Sequence, residues 1–225
     1  MRPTVPLTPW KLALALVLVS ATACGGGNAN TKDDAKVKGA DQAPVEEADA
    51  ATALEVDGNT AIQRFDVNGD DKADVFNYYR VLGGDGSDKT KRVLLRKEVD
   101  LNNDQRIDMV TYFEGEPGKE VKIREELDLD FDGRVDETRH YKNGEITQIE
   151  LDLGFDGKTD LSRYYQMTKD DEGKPVNRLI EIRRDRNGDG VVDEWEYYVK
   201  GKLSRIGYDT DNDGAADKFK KITSN

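Results

Sequence analysis

Aspartate recurs along this chain at a spacing suited to capturing a cation. Six nine-residue stretches begin at Asp66, Asp100, Asp128, Asp152, Asp185 and Asp209. Each carries an acid again at its fifth position (Asp70, Asp104, Asp132, Asp156, Asp189, Asp213) and its ninth (Asp74, Asp108, Asp136, Asp160, Asp193, Asp217). The third position is Asn68, Asn102, Asp130, Asn187 or Asp211 in five stretches and Gly154 in the fourth. Short oxygen-bearing side chains alternating along a tightly turning backbone converge on one point, where they suit a hard divalent ion. Position seven varies (Lys72, Arg106, Arg134, Lys158, Val191, Ala215), as expected where only its backbone carbonyl is used. Position six is Gly133, Gly157, Gly190 or Gly214 in four stretches, which permits a sharp turn with positive φ. Asp71 and Gln105 replace that glycine in the first two, which predicts strain there.

The pattern resembles the Asp-x-Asp-x-Asp-Gly-x-x-Asp loops of thrombospondin type-3 repeats, dockerins and EF-hands. The resemblance covers the six nine-residue stretches and none of the segments between them. It implies calcium as the ion. An EF-hand loop adds a bidentate acid at position twelve. Only the fifth stretch has one, Glu196, and it can serve only if the chain there is not already in a strand. The other five carry Asn77, Thr111, Arg139, Arg163 and Lys220 at that position. The expected order of ligand quality is loops five and six, then three, then one, two and four. Three or four carboxylates held together repel one another until a divalent ion offsets their charge. Metal uptake is therefore expected to be part of folding.

The elements that hold these loops follow from their separation. Successive first aspartates lie 34, 28, 24, 33 and 24 residues apart. The fifteen residues between Asp136 and Asp152 cannot hold two helices and a linker, and Asn143-Gly144 falls near their middle. Two strands of about 5–6 residues joined by a two-residue turn fit. Glu137–Lys142 and Glu145–Leu151 are therefore predicted as a hairpin. Further strands are predicted at Ala61–Phe65, Arg92–Val99, Val121–Leu127, Arg178–Ile182 and Leu203–Tyr208. The extra length of longer repeats lies in Gly83–Lys89, Gly115–Lys119 and Thr168–Pro175, which read as hairpin tips. Aromatic residues follow each ninth position (Tyr78, Tyr112, Tyr164, Tyr197 among them), and His140 stands where the others have Tyr. They are expected to stack from unit to unit and to supply most of the core. The fold class is all-β: repeated antiparallel hairpins, with a unit of about 24 residues, joined by six acidic calcium loops.

Composition narrows the function. The formal net charge is −12, with 36% charged and 36% hydrophobic residues. A chain this acidic argues against nucleic acid, which needs a basic surface. With one cysteine and one histidine, neither a disulfide framework nor a histidine-based triad is available. Residues 1–23 read as a secretory signal: Arg2 and Lys11 flank an eight-residue apolar run, Leu12 to Val19, too short to span a bilayer of roughly 30 Å. Ser20, Ala21, Thr22 and Ala23 precede Cys24, an arrangement that resembles the bacterial lipoprotein signal and implies a lipidated Cys24. Residues 24–53 read as a disordered tether that lifts a calcium-loop β-repeat domain, 54–225, off a membrane. Gly25, rather than an acid, is similar to lipoproteins exported to the outer membrane. The expectation is a non-enzymatic, lipid-anchored calcium-binding protein of the cell envelope, on the outer membrane, with a structural, adhesion or complex-forming role. Its expected partners are the membrane through the lipid and an envelope or extracellular protein or polysaccharide. The alternative is a polysaccharide-binding or carbohydrate-active protein that uses the aromatic ladder and the acidic loops.

Overall fold

The computed structural model describes residues 54–223; the signal and tether, Cys24 included, lie outside the described residues. Those residues form one antiparallel sheet of thirteen strands whose spatial order is their chain order. The strands are β1 (Glu55–Asp57), β2 (Thr60–Phe65), β3 (Val75–Val81), β4 (Arg92–Val99), β5 (Met109–Glu114), β6 (Val121–Leu127), β7 (Glu137–Lys142), β8 (Glu145–Leu151), β9 (Leu161–Lys169), β10 (Pro175–Arg184), β11 (Glu194–Val199), β12 (Lys202–Tyr208) and β13 (Lys218–Lys221). One turn of 3₁₀ helix, Lys89–Lys91, sits in a hairpin tip. The chain therefore folds as the hairpin arithmetic requires, with every acidic loop at one end of the strands and every hairpin tip at the other.

The predicted β7–β8 hairpin has its expected limits, with Asn143 and Gly144 both at positive φ (54° and 81°). That backbone is the one a two-residue turn needs to follow the strand twist. The third long tip is shorter than expected. β9 runs on to Lys169 and β10 starts at Pro175, so Thr168 and Pro175 belong to strands rather than to the tip. Five hairpins share one irregularity. The register shifts at Tyr78/Tyr79, Tyr112/Phe113, His140/Tyr141, Leu179/Glu181 and Tyr197/Tyr198. An extra residue of this kind increases local twist and turns two neighbouring side chains to new directions. It gives a structural reason for the aromatic doublets.

The core is thin. The buried apolar residues are Ala61, Phe65, Tyr79, Val81, Val93, Leu161, Ile182 and Trp195. Among the described residues, rings of successive units meet at one place, where Tyr197 and Phe219 lie 6.4 Å apart at a 39° tilt; the aromatic ladder expected along the whole sheet is otherwise interrupted. Equivalent rings lie two strands apart, about 9.6 Å, and the strand between them supplies an arginine. Arg96 covers Tyr78 and Arg124 covers Tyr112, each at 4.3 Å; Arg183 covers Tyr164 at 4.5 Å and Arg205 covers Tyr197 at 4.3 Å. Glu98 and Glu126 accept the hydroxyls of Tyr78 and Tyr112 at 2.8 and 2.9 Å. In the unit where His140 replaces tyrosine, its Nε2 lies 3.1 Å from Glu150. The sheet surface is thus held mainly by repeated Tyr–Arg contacts, with Glu at Tyr78 and Tyr112, and by one ring pair at its C-terminal end.

Candidate metal centres

Each acidic loop is wound by its own carboxylates in the same way. The position-one aspartate takes the N–H of position six in all six loops, at 2.6–2.8 Å. The position-five aspartate takes the N–H of position seven, at 2.8–3.0 Å. The position-nine aspartate reaches back seven residues to the N–H of position two, at 2.6–2.9 Å. These bonds consume part of each carboxylate and curl the backbone into a tight loop. Asp71 and Gln105 adopt φ of 66° and 73°, in the left-handed region that Gly133, Gly157, Gly190 and Gly214 occupy without strain.

A second left-handed residue, at position four, was not foreseen. Gly69, Asn103, Phe131, Phe155, Gly188 and Asn212 all have φ between 54° and 79°. Glycine or asparagine in four of the six loops is the signal that could have revealed it.

The loops are also tied to the sheet and to one another. Each position-nine N–H closes on the residue before its loop, as from Asp108 to the Val99 carbonyl at 2.9 Å. Each later position-one N–H then bonds the position-nine carbonyl of the preceding loop: Asp100 to Asp74, Asp128 to Asp108, Asp152 to Asp136, Asp185 to Asp160 and Asp209 to Asp193, at 2.7–2.9 Å. Side chains add bridges from Arg134 to the Phe155 carbonyl (2.8 Å) and from Asn212 to Asp189 (3.0 Å). The ladder buries Asp74, Asp100, Asp108, Asp128, Asp136, Asp152 and Asp185. Buried carboxylates are costly unless paired or neutralised, and no basic side chain is paired with any of these seven among the ion pairs of the described residues.

Among the described residues, two acidic groups have the spacing of a metal site. Oxygens of Asp128, Asp130 and Asp136, and of Asp209, Asp211 and Asp217, lie within 4.8 Å of one another. These are positions one, three and nine of loops three and six, the two loops with aspartate at position three. Mutual repulsion is visible in both. Asp211 is raised above the usual aspartate range by the charges of Asp217 and Asp213. Asp130 is raised by burial and then by the charges of Asp132 and Asp136. Asp132, expected as a fourth ligand, instead forms an ion pair with Arg134. Asn68, Asn102 and Asn187 bring amide oxygens to position three, each accepting the position-five N–H at 2.9 Å. In loop four, Gly154 sits between the carboxylates of Asp160 and Asp152, 3.5 and 3.9 Å from where a Cβ would be.

Loop two supplies the sharpest local observation. Asp108 is 2% exposed, its Oδ2 accepts from Leu101 and Asn102, and its Oδ1 has no partner. The equivalent Oδ1 atoms of Asp74 and Asp193 face the position-three amides of Asn68 and Asn187, at 3.3 and 3.4 Å. The free oxygen of Asp108 thus faces into its loop.

The condition placed on Glu196 fails. Glu196 lies inside β11, paired across to Ile206 and Ile182. Its carboxylate is 3.2 Å from Arg184 and accepts the Tyr198 hydroxyl at 2.6 Å. Burial, reinforced by that bond to Glu196, pushes the Tyr198 phenol up to about 12. Strand pairing holds position twelve away from the loop, so Glu196 does not act as the bidentate ligand of an EF-hand.

No family profile and no curated protein matches this chain. Among solved structures it is similar to the pneumococcal O-GlcNAc transferase GtfA in complex with UDP and GlcNAc, at 13% identity and a TM-score of 0.25, over 76% of this chain and 21% of that one. It is also similar to the GtfA/B complex, at 11% identity and a TM-score of 0.21, over 78% and 22%. The chain spans about a fifth of the length of each, and likenesses this distant carry no functional argument.

Proposed function

We propose that this chain is a calcium-binding repeat protein in which the ions are structural parts of the sheet. Each loop would hold one ion through its carboxylates at positions one, five and nine, the oxygen at position three where present, and the carbonyl of position seven. The orphaned Oδ1 of Asp108 carries the reading: a buried, unpaired carboxylate oxygen in an acidic loop calls for a cation. The row of buried aspartates without basic partners supports it. Calcium, rather than magnesium, suits flexible all-oxygen loops that do not impose octahedral geometry.

In this reading the stiffened sheet serves a structural, adhesion or complex-forming role in the cell envelope, anchored by lipid at Cys24 on the outer membrane. Its partner there is an envelope or extracellular protein or a polysaccharide. We assign it no catalysis, because the repeated loop carboxylates serve as ligands in this reading and the strand carboxylates Glu125 and Glu196 are taken by basic side chains and tyrosine hydroxyls. The sugar-binding alternative is less favoured, since arginines already cover the Tyr78, Tyr112, Tyr164 and Tyr197 rings.

The test is a calorimetric calcium titration paired with thermal melts. Uptake of several ions and a melting midpoint that climbs with calcium concentration are expected. No heat of binding and identical melts in chelator and calcium would end the reading.

A further inference from the structure

Among the described residues, six of the thirteen exposed large apolar side chains stand at just two positions of loops one to four: Val67 (72%), Leu101 (52%), Leu129 (47%) and Leu153 (58%) at position two, with Phe131 (42%) and Phe155 (40%) at position four. Position two is held identically in every loop by its bond to the position-nine carboxylate, so its side chains form a row. Successive loops are two strands apart, which makes the row roughly 30 Å long. It stops at loop five, where Arg186 and Gly188 replace the pair, and loop six has Thr210 and Asn212. Phe131 and Phe155 keep positive φ, a conformation that disfavours a bulky residue, at a position where other loops use Gly or Asn. Neither solubility nor folding accounts for exposed phenylalanine there.

The same four loops carry basic residues at position seven, Lys72, Arg106, Arg134 and Lys158, while loops five and six have Val191 and Ala215; Arg134 is engaged by Asp132 and the Phe155 carbonyl, and Lys158 donates to the Gly188 carbonyl. Calcium takes six to eight oxygens. Each loop offers at most five of them, and position twelve is tied into a strand. An ion seated there keeps positions open to outside oxygens.

We propose that the rim of loops one to four docks on an anionic phospholipid surface when calcium is bound. The apolar row enters the headgroup layer, while phosphate oxygens meet the open positions of the ions and the exposed cations Lys72 and Arg106. This rests on the calcium reading above. A second copy fits less well. The strip covers about 300 Å², against the roughly 800 Å² per partner of a stable protein interface. A lipid surface rewards each inserted side chain separately.

The experiment is co-sedimentation of the full chain, as Cys24→Ser to remove lipidation, with phosphatidylcholine vesicles with or without phosphatidylglycerol, in calcium or chelator. The comparison protein adds Leu101→Thr, Leu129→Thr, Leu153→Thr, Phe131→Asn and Phe155→Asn, which are the residues loop six already uses. Calcium-dependent pelleting with the anionic vesicles is expected, falling about tenfold or more in the comparison protein, whose calcium-induced rise in melting midpoint persists. Pelleting unchanged by the five substitutions would overturn the proposal. So would calcium-dependent self-association without vesicles, which would assign the strip to a second copy. A melting midpoint that rises with calcium while nothing pellets sinks the docking alone; a midpoint indifferent to calcium sinks both readings.

Discussion

At the scale of single residues, charge decides where the molecule is vulnerable. Asp108 holds two backbone N–H groups with one oxygen and leaves the other buried and bare. In calcium, Asp108→Asn should lower stability by about 1–3 kcal/mol, because a charged ligand is lost. In chelator the same change removes a buried uncompensated charge and should leave stability equal or higher. Melts of both proteins in both conditions test this reversal of sign, and a loss of equal size in each would refute it. Glu125 is the contrary case, a buried acid that is fully answered. Burial acts to raise its pKa, but Lys122 at 2.6 Å, Arg139 at 3.1 Å and the Tyr141 hydroxyl outweigh burial, and the carboxyl titrates below its ordinary range. A depressed folded-state pKa contributes stability above the unfolded value and loses it as pH falls through the folded one. Glu125→Gln should therefore cost stability at neutral pH and flatten the acid limb of the stability profile. A profile parallel to the parent's would show that the network contributes nothing.

At the scale of the element, the two kinds of connection differ in tolerance. A hairpin tip such as Asn143-Gly144 sets only a local turn, and the β7–β8 bonds persist on either side of it. A loop such as 128–136 sets oxygen positions and is tied by backbone bonds to the loops on both sides. Inserting Gly-Ser between Asn143 and Gly144 should cost less than about 1 kcal/mol. The same insertion between Asp130 and Phe131 should abolish that loop's calcium and lower the melting midpoint well beyond the tip insertion. Calorimetric ion counts and melts of the two proteins measure this, and equal effects would contradict the division of roles. Phe131→Asn alone relieves a strained backbone and should raise stability by up to about 1 kcal/mol. A destabilised variant would mean that the exposed ring packs in a way its 42% exposure does not suggest.

At the scale of the whole molecule, the sheet is a line of units, each bonded to its neighbours only. Stability in such arrays is a sum of unit and neighbour terms. Deleting residues 128–151 joins Leu127 to Asp152, one loop entrance to the next, and keeps strand phase. That protein should retain its β circular-dichroism signature, bind one fewer calcium ion and melt at a lower temperature. A twelve-residue deletion from the same place should not fold. If both deletions behave alike, the repeat is not the unit of folding.

The sequence by itself determined the period. Aspartate spacing set the loops, and the fifteen-residue gap with Asn143-Gly144 excluded helices and required hairpins, because chain length and turn chemistry are local constraints. Asp71 and Gln105 were legible as misfits for the same reason. What only the tertiary structure decided depends on neighbours distant in sequence. Arg96 meets Tyr78, and Arg124 meets Tyr112, only once strands pair. Asp108 is buried with an unpaired oxygen only in the folded loop ladder. Glu196 was a plausible ligand by count until β10 and β12 claimed its strand and Arg184 its carboxylate, since backbone pairing fixes a side chain's direction before a metal can.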